Sequence, residues 1–232
     1  MYNFDLFSFI QYSAVGVKLF FSDKEVGCKI VNNFNGVRIS HEPPPAVPHD
    51  IVHEPDTKNI LSNIFGPFGA DQVYFPDSDD HNTREILKKI QRGIVIVARP
   101  NGDIYATRLG QARVYVGDSA MSPPILLNRQ EETLVYSFQN DFLPMLQNYQ
   151  NGNTYSLPSC ERFFSIGQKW TPNIDPLKEM LTQFSITHFL AKKIFKEIKA
   201  QKPLEVEASF TNSLDIIQKE LHEMALANTN GV

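Results

Sequence analysis

The chain is poor in cysteine, with two residues among 232, and it has a single tryptophan. Cys28 and Cys160 lie in neither a CxxC pair nor a Cys/His metal spacing, which excludes a disulfide framework and favours a reducing compartment. No stretch approaches the roughly 20 apolar residues of a membrane helix, and residues 1–11 lack the features of a secretory signal. We therefore predict a soluble protein of the cytoplasm or the nucleus.

An excess of positive charge is also missing, since 22 Lys and Arg residues stand against 26 Asp and Glu residues. Neutralising several phosphates requires concentrated Lys and Arg, so the net charge of −4 argues against an extended nucleic-acid surface. A local basic patch remains compatible with this charge. The 42% of hydrophobic residues is enough for the core of one large domain or two small ones.

The common catalytic and metal-binding signatures are absent: there is no GxSxG elbow, no glycine-rich phosphate loop and no HExxH pair. His49 and His53 have the spacing of a helical metal pair, but neighbouring prolines exclude the helix that would align them. The acidic residues Asp77, Asp79 and Asp80 lack the later glycine and glutamate of a calcium loop and are interpreted as a solvated helix entry. We expect no metal and no cofactor.

An enzyme of unrecognised type stays open as an alternative. Cys160 is interpreted as a small core residue in a strand rather than as a nucleophile. A Ser or Cys side chain within hydrogen-bond reach of His188 or His222 would favour the enzyme instead.

Alternating apolar residues predict a first strand at 15–21, although Phe20 interrupts the pattern, and further strands follow at about 26–31 and 36–40. Five prolines between His41 and Lys58 predict a surface loop. A helix is predicted over 82–93, with Asn82 or Thr83 as its cap and Gly93 as its end. Apolar runs at 94–98, 104–108 and 112–116 then predict a buried three-stranded meander.

The C-terminal half alternates between helices and strands. The patterns predict a helix from Ser137 to about Tyr149 with a kink at Pro144, a strand at 161–166, a helix at 186–199, a strand at 204–210 and a helix at 213–227. Helices gather towards the C-terminus without regular βαβ alternation. This order predicts an α+β fold, a β-sandwich with flanking helices.

One group of cations stands out: Arg108, Arg113 and Arg129, with Lys24 or Lys18 as potential neighbours. A bend at Gly110 could aim the guanidinium groups of Arg108 and Arg113 at one anion. The alternative is that each is an ordinary surface arginine with its own nearby carboxylate.

The run Ile-Tyr-Ala-Thr-Arg-Leu-Gly-Gln-Ala-Arg-Val-Tyr at 104–115 resembles the LYAxRLCQxRVFW run of the interferon regulatory factor association domain. Four further matches keep the family order: Gly-Val-Arg-Ile-Ser-His at 36–41, Gln-Val-Tyr-Phe-Pro at 72–76, Ile-Gln-Arg-Gly-Ile-Val-Ile at 90–96, and Phe-Phe-Ser-Ile-Gly-Gln-Lys-Trp at 163–170. Val116 and the pair Gln168-Lys169 depart from the family pattern.

The resemblance implies a sandwich like the Smad C-terminal domain whose basic surface receives phosphoserine. Arg108 falls on a family phosphate-binding position, Gln111 and Arg113 on positions where some members have histidines, and Arg129 near a family lysine. These residues and Lys24 form the predicted phosphate site. Thr211 and Ser213 lie near a phosphorylated region of the family.

The helix at 186–199 matches a family helix that contacts partners. The residues predicted for such a surface are Phe189, Lys192, Lys193, Ile194 and Lys196. Packing of the same apolar stripe into the core is an equally weighted alternative.

We expect an N-terminal extension at 1–14, an association domain at 15–227 with a proline-rich loop at 41–58, and a tail at 228–232. The tryptophan-rich DNA-binding domain and the C-terminal serine cluster of the family are not expected in this chain. The predicted partners are other association domains in homo- or heterodimers, phosphorylated adaptors and transcriptional co-activators in innate immune signalling. Direct contact with nucleic acid or membrane is not expected, and a free-standing, viral mimic that sequesters such partners is the alternative function.

Overall fold

The computed structural model describes residues 14–46, 54–119, 121–154, 158–172 and 176–201. Its strands are β1 (Val15–Phe21), β2 (Lys24–Val31), β3 (Val37–Ser40), β4 (Asp71–Tyr74), β5 (Ile94–Ala98), β6 (Ile104–Arg108), β7 (Val114–Gly117), β8 (Ile125–Leu126), β9 (Glu132–Tyr136), β10 (Glu161–Ile166) and β11 (Gln183–His188). Its helices are α1 (Pro55–Phe65), α2 (His81–Lys88), α3 (Leu143–Gln150), α4 (Pro176–Glu179) and α5 (Phe189–Gln201), with a π-helical turn at Phe138–Phe142.

The strands form two sheets that together make the predicted α+β sandwich. The six-stranded sheet has the order β2-β1-β11-β10-β7-β8, and the five-stranded sheet has the order β4-β3-β5-β6-β9. Neighbouring strands are antiparallel except β3 and β4, which are parallel. The interruption of the first strand at Phe20 corresponds to a register shift between Leu19 and Phe20 in its pairing with β2.

One hydrophobic core fills the space between the inner faces of the two sheets. Alternate residues of β1 and of β5 enter it, as a period of two predicts, while Val95 of β5 is buried outside this cluster, next to Gly66. Phe164 and Phe184 stack at its centre with ring centroids 4.3 Å apart. A second, smaller cluster of Tyr115, Trp170 and Met180 lies apart from this core.

The prediction of a three-stranded meander at 94–116 is wrong. β5 and β6 pair as expected, but β7 belongs to the other sheet and pairs with β10 and β8. The amide of Gly110 bonds to the carbonyl of Gly93, and those of Gln111 and Ala112 bond to the carbonyl of Lys89. These bonds carry the chain across the edge of the sandwich instead of back along β6.

The predicted proline-rich loop at 41–58 is too long at its C-terminal end, because its last residues belong to helix α1. The helix starts at Pro55, because proline at the first helical position loses no intrahelical hydrogen bond and already has a helical φ. The predicted start of the helix at 186–199 is wrong. Residues 183–188 form the extended, buried strand β11, and the helix starts only at Phe189. The predicted strand at 204–210 and helix at 213–227 lie outside the described residues.

Two helix starts depend on side-chain caps. Ser137 accepts a hydrogen bond from the amide of Asn140 and opens the π-helical turn, as the sequence predicted for this helix start. Helix α2 is capped by Asp80 rather than by Asn82 or Thr83, because the Asp80 carboxylate accepts from the Thr83 amide at 2.7 Å. The hydrogen bonds to Thr83 hold the pKa of Asp80 below its usual value.

Replacing Asp80 with alanine is expected to lower Tm by roughly 2–4 °C, because the helix loses its cap. Asp80→Asn keeps an acceptor at the same place and is expected to retain most of the Tm. Thermal unfolding at neutral pH measures both. Equal losses for the two variants would contradict the capping role.

Among the residues described, no helix has the length and apolar character needed to cross a bilayer.

Candidate functional site

The predicted arginine site lies where the chain passes twice between the sheets. The first crossing joins β6 to β7 and is bounded by Arg108 and Arg113. The second joins β8 to β9 and contains Arg129, which forms an isolated bridge with Arg108. The fold therefore brings together three arginines from two separate segments, and we call this group the arginine rim.

The first crossing is held against the turn that follows α2. The amides of Leu109 and Gly110 share the carbonyl of Gly93, at 3.0 and 3.1 Å. A Cβ added at Gly110 would lie 2.9 Å from the Lys89 carbonyl oxygen, so the approach is close. This network fixes the backbone that carries the rim.

Arg108 is partly buried, and its own loop holds it in place. Its Nη1 donates to the Ala112 carbonyl at 3.1 Å, and its buried Nε has no hydrogen-bond partner within the described part of the chain. Burial, followed by the positive charges of Arg129 and Arg113, lowers the pKa of Arg108 below its usual value. Three cations thus lie close enough to repel one another, which is the electrostatic condition of an anion site.

The other two arginines expose their charges to solvent. Arg113 is exposed, while Arg129 is exposed and donates from Nε to the Leu109 carbonyl at 3.3 Å. Within the described segments, no carboxylate forms an ion pair with any of the three arginines. In the described part of the chain these arginines therefore do not each pair with a nearby acid, as the alternative of ordinary surface arginines required. Gln111 lies on the same crossing and is exposed.

Lys24 and Lys18 lie apart from the rim. Lys24 starts edge strand β2, and three strands separate β2 from β7, a distance of about 19 Å at about 4.8 Å for each spacing. Lys18 forms an ion pair with Glu25 at 2.7 Å. The structure thus brings together Arg108, Arg113, Arg129 and Gln111, but it does not bring either lysine to them.

The residues of the predicted partner surface on helix α5 differ in their exposure to solvent. Ile194 is only 5% exposed and belongs to the core, as do Ala191 and Ile198, so the core alternative applies to the apolar stripe and Ile194 cannot contact a partner in this conformation. Phe189 and Lys192 are half-buried, and Lys193 and Lys196 are exposed. Thr211 and Ser213 lie outside the described residues.

Sequence reasoning missed a buried arginine that organises the outer side of the five-stranded sheet. Arg38 has 0% exposure and donates to the carbonyls of Arg92, Gln91 and Glu42 and to Oε1 of Gln72. Its guanidinium carbon lies 5.5 Å from the Phe65 ring centre. The only signal in the sequence was an arginine between the apolar residues of a strand.

His188 does not support the enzyme alternative. Its Nε2 contacts the Gly102 carbonyl oxygen at 2.9 Å and its Nδ1 accepts from the Ala191 amide at 3.2 Å, so both ring nitrogens are occupied by backbone groups. Burial raises the pKa of the Cys160 thiol to about 11, which disfavours the reactive thiolate. His222 lies outside the described residues.

The two sheets and their helices form an α+β sandwich domain. The family model described as interferon-regulatory factor 3 matches residues 12–199, which is most of the chain. The chain therefore belongs to this family, and it carries the interferon regulatory factor association domain, which mediates protein–protein interactions. The family is one of non-enzymatic transcription regulators with nuclear function.

Curated relatives and solved structures agree with this assignment. Interferon regulatory factor 5 is 28% identical in Bos taurus and in Homo sapiens and 29% identical in Mus musculus, over 144 residues that cover 57% of this chain. The match spans 28% of each relative's length. The crystal structure of the interferon regulatory factor 9 IAD domain covers 86% of this chain and 93% of its own, with a TM-score of 0.59 and 16% identity.

A chain in the crystal structure of STAT2 in complex with IRF9 has a TM-score of 0.57 and 16% identity. It covers 80% of this chain and 96% of its own. At this identity the two solved structures establish the fold, which is the predicted sandwich.

Proposed function

We propose that this association domain binds phosphorylated partner proteins at the arginine rim. The observation that carries the proposal is the convergence of Arg108, Arg113 and Arg129 without a paired carboxylate among the described residues. Three cations held together by the backbone repel one another until an anion arrives, so a bound anion relieves an unfavourable interaction.

A phosphoserine is the group that fits this rim best. It carries nearly two negative charges and three acceptor oxygens, and planar guanidinium groups meet such oxygens in pairs. Arg108 is preorganised by its bond to Ala112, so it loses little conformational entropy on binding. Gln111 is exposed on the same crossing and is a neutral donor for a further oxygen.

The proposed biological role is dimerisation and the recruitment of phosphorylated adaptors and co-activators in interferon signalling, both in the cytoplasm and in the nucleus. Lys193 and Lys196 support a second contact, because they are exposed on α5 while the apolar side of the helix is buried. A partner at α5 would therefore meet the basic side of this helix.

Arg108→Ala tests the proposal. We expect binding of a phosphoserine peptide from an adaptor to weaken by about 2 kcal/mol, roughly 30-fold, because a charge-assisted contact is lost. Calorimetric titration with the phosphorylated and the unphosphorylated peptide measures the effect.

Arg84→Ala removes an exposed arginine of α2 and is the matched control, with unchanged affinity expected. Tm should stay within a few degrees of wild type for both variants. Equal affinity of Arg108→Ala and wild type would refute phosphate binding at the rim.

A further inference from the structure

Basic residues lie next to the arginine rim on two turns, the one that follows α2 and the one that follows β10. The Gly167 amide donates to the Arg113 carbonyl at 2.8 Å, which ties this turn to the rim. Lys169 follows two residues later and is exposed. Since two residues of chain span at most about 7 Å, the Cα atoms of Arg113 and Lys169 lie within about 13 Å of each other.

Lys89, in the turn that follows α2, also lies next to the arginine rim. Its carbonyl accepts the amides of Gln111 and Ala112, at 2.8 and 3.1 Å, and its side chain is exposed. Ile86, one helical turn earlier, packs over Gly167, where an added Cβ would lie 3.2 Å from the isoleucine. Lys89 is therefore a neighbour of both the rim and the turn that bears Lys169.

These two lysines are not neutralised within the described part of the chain. Neither forms an ion pair there, and Glu85, which precedes Lys89 by one helical turn, bonds to Lys88 at 2.6 Å instead. Five basic residues thus lie on backbone segments that contact one another: Arg129, Arg108, Arg113, Lys89 and Lys169. We call this group the basic track. At physiological ionic strength each of these charges acts mainly on ligand groups within the screening length of about 8 Å, so a ligand must carry several anionic groups to engage all of them.

We propose that the basic track selects phosphoserine segments that also carry acidic residues about three or four positions from the phosphoserine. This inference rests on the proposed function and names the class of its ligand. An extended peptide advances about 3.3 Å for each residue, so four residues cover the distance from the rim to Lys169. The rim would hold the phosphate, and Lys89 and Lys169 would hold the flanking carboxylates.

Paired peptides provide the test. Each carries one phosphoserine, with two Glu or two Gln residues three and four positions away, on either side in separate peptides. We expect wild type to bind the better Glu peptide about tenfold more tightly than its Gln partner, roughly threefold for each exposed ion pair. The double variant Lys89→Gln/Lys169→Gln should bind both peptides with the affinity that wild type has for the Gln peptide.

Lys58→Gln, at an exposed position of α1, is the matched control and should keep the tenfold preference. Equal binding of the Glu and Gln phosphopeptides by wild type would overturn the basic track and leave phosphate binding intact. Loss of the preference in Lys58→Gln, or its survival in the double variant, would also overturn it. Binding of an unphosphorylated Glu peptide or a single-stranded oligonucleotide as tight as that of the phosphopeptides would overturn both proposals.

Discussion

Replacement of Arg38 with alanine is expected to lower the free energy of unfolding by about 4 kcal/mol. The Arg38 guanidinium supplies five hydrogen bonds to carbonyl and amide oxygens of Arg92, Gln91, Glu42 and Gln72, and the side chain is fully buried at 0% exposure. Without it, several buried acceptors lose their donors and the ring of Phe65 loses its cationic neighbour.

Urea unfolding monitored by fluorescence is a direct measurement, because Trp170 is the single tryptophan and is buried. Arg38→Lys keeps the charge but has one nitrogen for four acceptors, so an intermediate loss is expected. Arg84→Ala is the matched surface control, with a change within about 0.5 kcal/mol. If Arg38→Ala changed the free energy of unfolding by no more than the control Arg84→Ala, the structural role of the Arg38 side chain would be contradicted.

Acidification is expected to destabilise the domain through His188. An amide can only donate, so Nδ1 accepts from Ala191 and the proton resides on Nε2, which donates to the Gly102 carbonyl. The ring also stacks on Tyr136 and Phe138, with ring centres 5.1 and 5.0 Å away. Burial lowers the pKa of His188 to about 4, from a usual value of 6.5.

Acid lowers the stability of the protein because the folded state favours the neutral form of His188. The unfolded chain takes up a proton near pH 6.5, whereas the folded protein does so only near pH 4. Stability is therefore complete above pH 6.5 and falls as the pH drops towards 4, by about 3 kcal/mol at most and about 2 kcal/mol at pH 5.

Denaturant unfolding between pH 4 and pH 8 measures this loss. His188→Gln is expected to be less stable at pH 8 and to lack the loss between pH 6.5 and 4 that wild type shows beyond its carboxylates. His81→Gln, at an exposed position, should keep the pH dependence of wild type. If the free energy of unfolding depended on pH in the same way for wild type and His188→Gln, His188 would not be the cause of the acid destabilisation.

Local patterns in the sequence predicted the strands with one buried face. The alternation in β1 and the apolar run of β5 depend on neighbours close in sequence, so both were correct. Strand β11 was missed although Phe184 and Ile186 alternate with polar neighbours, because Ile186 also continued the apolar spacing of the following helix. Helix α1 was missed because prolines were interpreted as breakers, although one is compatible with a first turn.

The candidate site was predictable in its residues but not in its geometry. The arginines were visible as a group, whereas their meeting depends on two crossings between sheets that no local pattern encodes. Lys24 was grouped with them on charge alone, and strand order then placed it at the far side of the six-stranded sheet. Arg38 and the carbonyls of Lys89 and Gly93 act through tertiary contacts, which have no sequence period.

Arg108 ends a strand of one sheet, and Arg113 leads into a strand of the other. A ligand that contacts both guanidinium groups is therefore a noncovalent cross-link between the two layers. Ligand binding and layer cohesion become thermodynamically linked, so amide hydrogen exchange in β6 and β7 should slow as the rim is filled.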